Sequence, residues 1–407
     1  MKILFVTEVF NPEPHIKGLS FAKELVRKGH HVQVLTGFPN YPGGVIYPNY
    51  KLKLFQKESI DGIPIVRVPL YCSHNNSSLK RFLTYVSFAL SAAFIGIWLV
   101  QSADIVYIYQ PPATIAFPGL ILRLFRAKRS VYDIQDMWPD TLTATGMVNS
   151  RVVLWCVKHW CLLTYRLVDH IVVQSKGFRE LLLSRGVPNS KIEIVYNWAD
   201  EFSEEPQSRS PELANNIGFN GRFNVLFAGT MGKAQGLDTV LETASLLQNR
   251  QPSIQLSFMG GGIDKERLQE KSRALGLTNV SFLERVPASD VGKILILADI
   301  LLVHLKDDPL FRITIPSKTQ GYLAVGRPIL MAVRGESGDL VAEAQAGICC
   351  SPSDPGAMAE SILTLHSMGS EQLDRMGKNG RRFYNEKLSL KKGAKKFESI
   401  FLKLLID

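Results

Sequence analysis

The sequence predicts an α/β fold of two doubly wound, Rossmann-like domains, on three observations. The chain opens with an apolar strand over residues 2–7, an amphipathic helix Ser20–Lys28 closed by Gly29, and a second apolar strand His31–Thr36. Strand, helix and strand within about 35 residues mark a parallel sheet. The alternation then breaks over Asn197–Asn216, a stretch rich in Glu, Ser and Pro, and starts again behind it. Finally, 407 residues exceed what one hydrophobic core sustains, since single cores stop growing near about 250–300 residues.

The remaining elements follow the same pattern. In the first half, strands are expected at Ile65–Pro69, Ile105–Tyr109, Ser130–Ile134 and His170–Gln174, with helices between them. In the second half, strands are expected at Asn224–Ala228, Ile254–Met259, Val280–Phe282, Ile300–His304 and Ile329–Ala332. Helices are expected at Gly236–Gln248, Lys265–Leu275, Ser289–Leu297, Thr319–Val325 and Asp339–Gln345, and an amphipathic tail helix at Lys392–Leu405. The domains are set at 1–197 and 217–385, with the tail helix at about 390–407. Ligands of open parallel sheets bind outside the carboxyl ends of the strands, so a cleft between two such domains is the expected active site.

Charge is unevenly spread. Residues 1–200 hold 22 Lys+Arg and 13 Asp+Glu, net +9, whereas residues 201–407 hold 25 and 24, net +1. A basic first half predicts an anionic partner for that half, or a solvated basic face. The five cysteines are scattered, without a CxxC pair, which disfavours a disulfide scaffold or zinc ribbon and fits a reducing cytosol. A signal peptide is not expected in the first ten residues, where an apolar strand runs into Glu8 and a proline turn.

Phe82–Val100 is an uncharged run of 19 residues behind Lys80 and Arg81. Its length would span a bilayer. It also carries Thr84, Tyr85, Ser87, Ser91 and Gly96 and leads straight into a strand, so the expectation is a helix packed on a sheet or lying at a membrane interface.

Four stretches carry chemistry. The loop Glu8–Gly18 has Pro12, Pro14, His15 and Gly18 where a dinucleotide fold would show GxGxxG, so NAD or FAD is not expected there; Gly18 opens a helix, whose N-terminus attracts anions or is simply capped. Residues 227–237 join a strand to a helix through Gly229, Gly232 and Gly236, with Lys233 adding charge, as a phosphate-binding turn would. In residues 311–329, Arg312 and Lys318 flank Pro316-Ser317 at a helix start, an expected anion site. Residues 132–140 place Asp133, Gln135, Asp136, Trp138 and Asp140 at the end of a first-domain strand, where a carboxylate binds hydroxyls, stabilises positive charge or caps a turn. Weaker signals are Gly260-Gly261-Gly262, which could cradle part of a nucleotide, the pair Asp307-Asp308, which reads as a turn rather than a metal site, and His159 and His170, which read as structural.

Taken together, Asn40-Tyr41-Pro42-Gly43, Gln135-Asp136-Met137-Trp138-Pro139, Gly232–Leu237 and Ile315-Pro316-Ser317-Lys318 resemble glycosyltransferase family 4 over nearly the whole chain. They look most like the bacterial group that builds O-antigen and capsule and includes N-acetyl-fucosamine transferases. The resemblance implies a GT-B fold, with two Rossmann-like domains facing a central cleft and the C-terminal helix crossing back to the first. It implies a nucleotide-sugar donor, UDP-linked, held mainly by the second domain, an acceptor held by the first, and transfer with retention and no required metal or other cofactor. The donor-binding set it implies is Gly18, Gly229, Lys233, Gln235, Gly261, Val286, Arg312, Ser317, Lys318 and Gln320, with Asp136 and Tyr109 as catalytic candidates. Thr230 and Gln235 stand where the family carries its Arg and Lys, Ile313 and Gly321 where it carries two glutamates, and Tyr109 where it carries a sugar-facing His.

The partners expected are a UDP-sugar, a lipid-diphosphate-linked saccharide acceptor and the anionic cytoplasmic face of the inner membrane, where the protein would be peripheral. Nucleic acid is disfavoured because basic and aromatic residues do not interleave. Two competing readings share the fold: a UDP-sugar epimerase, and a non-catalytic scaffold of a polysaccharide assembly complex.

Overall fold

The computed structural model describes residues 1–73, 78–199 and 209–406. The chain forms two compact units, residues 1–196 with 390–407, and residues 197–389.

The first unit is built on an eight-stranded sheet. Its strands are β1 (Lys2–Val6), β2 (His31–Gly37), β3 (Gln56–Ile60), β4 (Ile63–Val68), β5 (Ala103–Tyr109), β6 (Ala127–Ile134), β7 (His170–Val173) and β8 (Ile192–Ile194), in the spatial order β3-β4-β2-β1-β5-β6-β7-β8. All neighbours are parallel except the edge pair β3–β4. The order reverses between β1 and β5, where Val6 pairs with Leu35 on one side and Ile108 on the other. The central strands are buried on both faces, as helix-covered parallel sheets are.

The second unit has a parallel six-stranded sheet of β9 (Phe223–Ala228), β10 (Ile254–Met259), β11 (Val280–Leu283), β12 (Ile300–His304), β13 (Ile329–Ala332) and β14 (Gly347–Cys349). Its order, β11-β10-β9-β12-β13-β14, is the 3-2-1-4-5-6 order of dinucleotide-binding domains, with its switch point between β9 and β12. Val225, Phe227, Leu256, Phe258, Ile300, Leu302 and Leu330 fill its core.

The C-terminal helix Leu390–Ile406 belongs to the first unit. Phe397 packs on Phe21 and Tyr107 with ring centroids 5.1 and 5.4 Å apart, and Glu398 holds Lys28 at 2.9 Å and His30 at 3.0 Å.

Several elements differ from the sequence reading. The hairpin strand β3 was not expected because QKESI carries no apolar alternation: it is a half-exposed edge, held to β4 by the tight turn Asp61-Gly62, both at positive φ. Strands β8 and β14 have three residues each, too few for a period to show. Helices Pro355–Ser367 and Ser370–Phe383 also went unread; the first has Asp354 accepting from the Ala357 N–H at 2.9 Å. The linker Asn197–Asn216 needs correction. Trp198 is buried, and Pro211–Asn216 is a short helix with Ser210 accepting from the Leu213 N–H at 3.2 Å. A Ser cap followed by Pro in the first turn starts a helix as readily as it marks a loop. Residues 200–208 of that stretch lie outside the described residues.

The apolar run forms helix Ser78–Ser91, a π-helical turn Ala92–Gly96 and the short helix Ile97–Leu99. It is long and apolar enough to cross a membrane, yet it lies on the sheet of the first unit. Phe88, Ala89, Ala92, Ala93 and Gly96 form its buried stripe. A Cβ on Gly96 would stand 2.8 Å from Leu35 Cδ2, so this close approach needs glycine. The opposite stripe is bare, with Phe94 63% and Trp98 79% exposed.

Candidate functional site

In the second unit, the glycine-rich turns that follow β9 and β10 lie side by side. The Gly229 N–H donates to the Met259 carbonyl at 2.8 Å and the Met231 N–H to the Gly261 carbonyl at 2.7 Å. Gly260 and Gly262 have positive φ, and a Cβ on either would stand 2.2 Å from the carbonyl oxygens of Gly229 and Met231. These two glycines serve the packing of one turn on the other, whereas Gly261 faces open space. Gln235 closes the first turn: its side-chain oxygen accepts from the Gly232 N–H at 3.1 Å. Lys233 is exposed beside it.

Helix Ser317–Val325 points its first turn at this place. Tyr322 accepts from the Ala228 N–H at 2.9 Å and donates to the Ala228 carbonyl at 3.2 Å, which pins the helix to the end of β9. One turn earlier, Lys318 lies over the Phe227 ring, its Nζ 4.0 Å from the centroid. A Cβ on Gly229 would stand 2.6 Å from Lys318 Cε. Lys318 makes no ion pair among the described residues, and burial lowers its pKa from the usual lysine range to about 7. A desolvated, uncompensated ammonium against a glycine turn is disposed to receive an anion.

His304, the last residue of β12, completes this edge and was not singled out in the sequence. It is buried. Its Nδ1–H donates to the Gln235 carbonyl at 2.5 Å, and its Nε2 has no partner among the described residues. Burial and the neighbouring Lys318 charge lower its pKa, so the ring is neutral and Nε2 is an acceptor. The signal that could have found it is its place, at the carboxyl end of a strand flanking the switch point.

The structure separates the other donor candidates. Arg312 is half exposed and tied to Asp307 at 2.9 Å, with Arg334 on the same carboxylate at 3.1 Å. It is thus not brought to the glycine turn by any described contact. Gln320 is fully buried, its amide turned back toward the Pro316 and Ser317 carbonyls, which removes it from the surface a donor meets. Ser317 is exposed at the helix start and Val286 is half-buried behind β11. In the first unit, Gly18 starts helix Leu19–Arg27, but the Leu19 N–H already donates to Asn11 Oδ1 at 3.2 Å. Asp308 caps the helix Pro309–Ile313 by accepting from the Leu310 N–H at 2.8 Å. No group of three His, Cys, Asp or Glu side chains among the described residues could hold a metal ion.

The carboxyl edge of the first sheet gathers buried polar groups. Lys17 and Asp133 form a fully buried ion pair of 2.6 Å, and Asp133 also accepts from Tyr107 at 2.5 Å and Gln135 at 2.6 Å. That pair is satisfied by its own contact together with Tyr107 and Gln135. Asp136 differs. Gln110 grips its backbone twice, accepting from its N–H at 2.8 Å and donating to its carbonyl at 2.8 Å, while its carboxylate has no partner among the described residues. Burial raises its pKa to about 6. Glu8, on the loop after β1, is buried, and its Oε2 has no partner among the described residues; burial, and then the Glu13 charge, raise it to about 8. Glu13 accepts from the N–H groups of Phe10 at 3.1 Å and of Asn40 and Tyr41 at 2.7 Å, tying the Asn40-Tyr41-Pro42-Gly43 loop to the first loop. Tyr109 packs edge-on against His15, centroids 4.6 Å apart. Burial, then Lys17, hold His15 neutral, with a pKa near about 3. Glu8 and Glu13 were read only as loop residues; a carboxylate directly behind the first strand was the available signal.

Residues 19–198 match the family described as "Glycosyl transferase 4-like domain" and residues 210–383 the family "Glycosyl transferases group 1". The chain is similar to the putative colanic acid biosynthesis glycosyl transferase WcaI of Escherichia coli K12, 26% identical over 80% of this chain and 82% of that one. It is also similar to the probable glycosyltransferase WbjE of Pseudomonas aeruginosa, 24% identical over 79% and 81%. Among solved structures, Anabaena Alr3699/HepE in complex with UDP superposes with a TM-score of 0.72 at 14% identity, covering 99% of this chain and 100% of that one. Its complex with UDP-glucose gives 0.71 at 14% identity over 99% and 100%.

Proposed function

The chain belongs to the glycosyltransferases, its first part to the 4-like family and its second to group 1, and from this membership we propose a specific reaction. The enzyme moves a sugar, an N-acetylated hexosamine or 6-deoxyhexosamine, from a UDP-sugar to a lipid-linked saccharide in bacterial surface polysaccharide synthesis. The anomeric configuration is retained and no metal is required. The second unit holds the donor and the first the acceptor, on the cytoplasmic face of the inner membrane.

One observation carries the donor half: Lys318, desolvated and without an ion pair among the described residues, against Gly229 at the end of β9. A bound diphosphate restores its full positive charge, and the neutral His304 Nε2 accepts a hydrogen bond from a sugar hydroxyl at the same edge. The relatives' names support the setting, in colanic acid biosynthesis for one of them, and the UDP complexes of a similarly folded protein support the donor.

The chemistry is a same-face displacement. The bond from C1 to the donor phosphate oxygen breaks as the acceptor oxygen bonds to C1, and the acceptor proton passes to the leaving phosphate oxygen. Lys318 stabilises the charge that grows on the diphosphate, and such preorganised groups are commonly worth about 3–4 kcal/mol of barrier. Asp136 holds the acceptor hydroxyl or faces the oxocarbenium-like sugar.

The test is a thermal-shift screen of nucleotide sugars, followed by incubation of the best ligand with a membrane lipid extract and NMR of the product's anomeric proton. UDP-sugar binding and a retained anomer are expected. Preference for another nucleotide, an inverted anomer, or epimerised donor in place of a glycolipid would overturn the reading.

A further inference from the structure

The first unit carries a cavity of about 570 Å3 at the amino edge of its sheet, the edge opposite Asp136. It lies where β7 and β8 begin: His170 opens β7, and Lys191 and Glu193 bracket the first residue of β8. Helix Arg151–Leu167 supplies Arg166 from its last turn. The end of the C-terminal helix supplies Ile400, Lys403 and Leu404. The volume falls within the range of small-molecule sites, about 300–1,000 Å3.

Arg166, Lys191 and Lys403 line this cavity together with the carboxylates of Asp169 and Glu193. Asp169 is already met by Arg123 at 2.6 Å and by the Ser130 N–H and hydroxyl at 2.7 and 2.8 Å. Three cations thus face one free carboxylate, and neither Arg166, Lys403 nor Glu193 makes an ion pair among the described residues. A cation in a last helical turn also answers the helix dipole, which accounts for Arg166 and Lys403. It does not account for Lys191, which is half-buried and whose pKa burial lowers. The helix-end carbonyls that would repel an anion are covered: Lys191 donates to the Arg166 carbonyl at 2.9 Å and Arg129 to the Leu404 carbonyl at 3.0 Å. His170 is 5% exposed, and its Nε2 has no partner among the described residues. Burial first lowers its pKa; Glu193 opposes that shift, and Lys403 and Lys191 add to it. The neutral ring therefore lies in the field of the cavity's charged groups with a nitrogen left open, and an unmet buried nitrogen is costly until an occupant bonds to it.

We propose that this cavity binds a phosphomonoester of a small hydroxylated molecule, a sugar phosphate or a nucleoside monophosphate, as a ligand distinct from donor and acceptor. The surplus of two positive charges among the lining groups matches a phosphate dianion. Glu193 takes a hydroxyl of the esterified part, and His170 hydrogen-bonds the ligand from the buried side. Lys403 stands on the C-terminal helix and Lys191 at the start of β8, so the bound phosphate joins that helix to the edge of the sheet.

The test is NMR of the full chain with isotope-labelled histidine, titrated with glucose 6-phosphate, UMP, inorganic phosphate and sulfate; His170→Asn identifies the His170 signal. Glucose 6-phosphate or UMP should shift that signal saturably, the tighter of the two naming the source. The bound dianion should also raise the pH midpoint of His170, because it favours the protonated ring. Lys191→Ala should weaken binding about tenfold, and Lys403→Glu, a charge reversal at an exposed helix position, at least as much. Melting curves and UDP affinity should stay at wild-type values in both. Lys128→Ala, which removes an exposed cation of the same edge paired with Asp104 at 2.9 Å, should leave the titration unchanged. No saturable shift of the His170 signal, or a shift indifferent to Lys191→Ala and Lys403→Glu, would overturn the site. Equal shifts with sulfate or inorganic phosphate would mean an adventitious ion only and overturn the phosphomonoester assignment.

Discussion

Lys318 occupies the space into which a side chain on Gly229 would grow, its Cε 2.6 Å from the ideal Cβ position. The turn therefore needs glycine twice over: Gly229 has φ +136, which L side chains rarely adopt, and any substituent meets the lysine.

Gly229→Ala should accordingly displace Lys318 and weaken UDP binding by about tenfold or more, on the scale of a lost charge-assisted contact. Gly261→Ala, which meets nothing within 4 Å, should leave the melting temperature within about 1 °C, so any loss of UDP affinity there reports a ligand on that turn. Calorimetry beside a melting curve checks both.

Asp136→Asn should lower turnover by about 100-fold or more with UDP affinity intact. It should also stabilise the protein at pH 7. The carboxyl ionises near 3.8 when unfolded and near about 6 when folded, so stability falls as pH rises through that window and ionised Asp136 is a cost of at most about 3 kcal/mol above it. A variant that melts higher and turns over more slowly is the expected pair of results. Equal or lower stability together with full activity would make Asp136 a turn residue only.

Glu13→Ala should loosen the loop at Asn40 and Tyr41, since three N–H groups lose their acceptor. A cost of about 2–3 kcal/mol is expected, seen as a fall of roughly 4–12 °C in the melting transition of the first unit. Acceptor KM should rise more than UDP Kd.

The two sheets were legible because their central strands are continuous apolar runs between turns, as Ile254–Met259 and Ile300–His304 show with unchanged bounds. The polar edge strand at Lys57 and Glu58 was not, since nothing in an edge open to water imposes an alternation. At the site, Gly229 and Lys318 could be named from a strand–glycine–helix pattern and a Pro-Ser helix start, but their contact spans 89 positions and no local pattern encodes it. Arg312 looked equivalent to Lys318 by composition; Asp307, five residues away, claims it instead. The strand-end places of Glu8 and His304 could be read from the sequence, but their shifted ionisation comes from burial, which a single polar residue at a strand end does not announce.

Calorimetric titration of UDP into the wild type and Lys318→Ala from pH 6 to 9 tests the donor assignment. The wild type should bind with an affinity that falls as pH rises above about 7, where the free protein's Lys318 loses its proton, by up to about tenfold per unit as ligand binding draws that proton back. Proton uptake should accompany binding on the alkaline side. Lys318→Ala should bind at least about tenfold more weakly at pH 7, with the alkaline slope gone. Wild-type affinity in Lys318→Ala, or the same slope in both proteins, would place the diphosphate elsewhere and contradict the assignment.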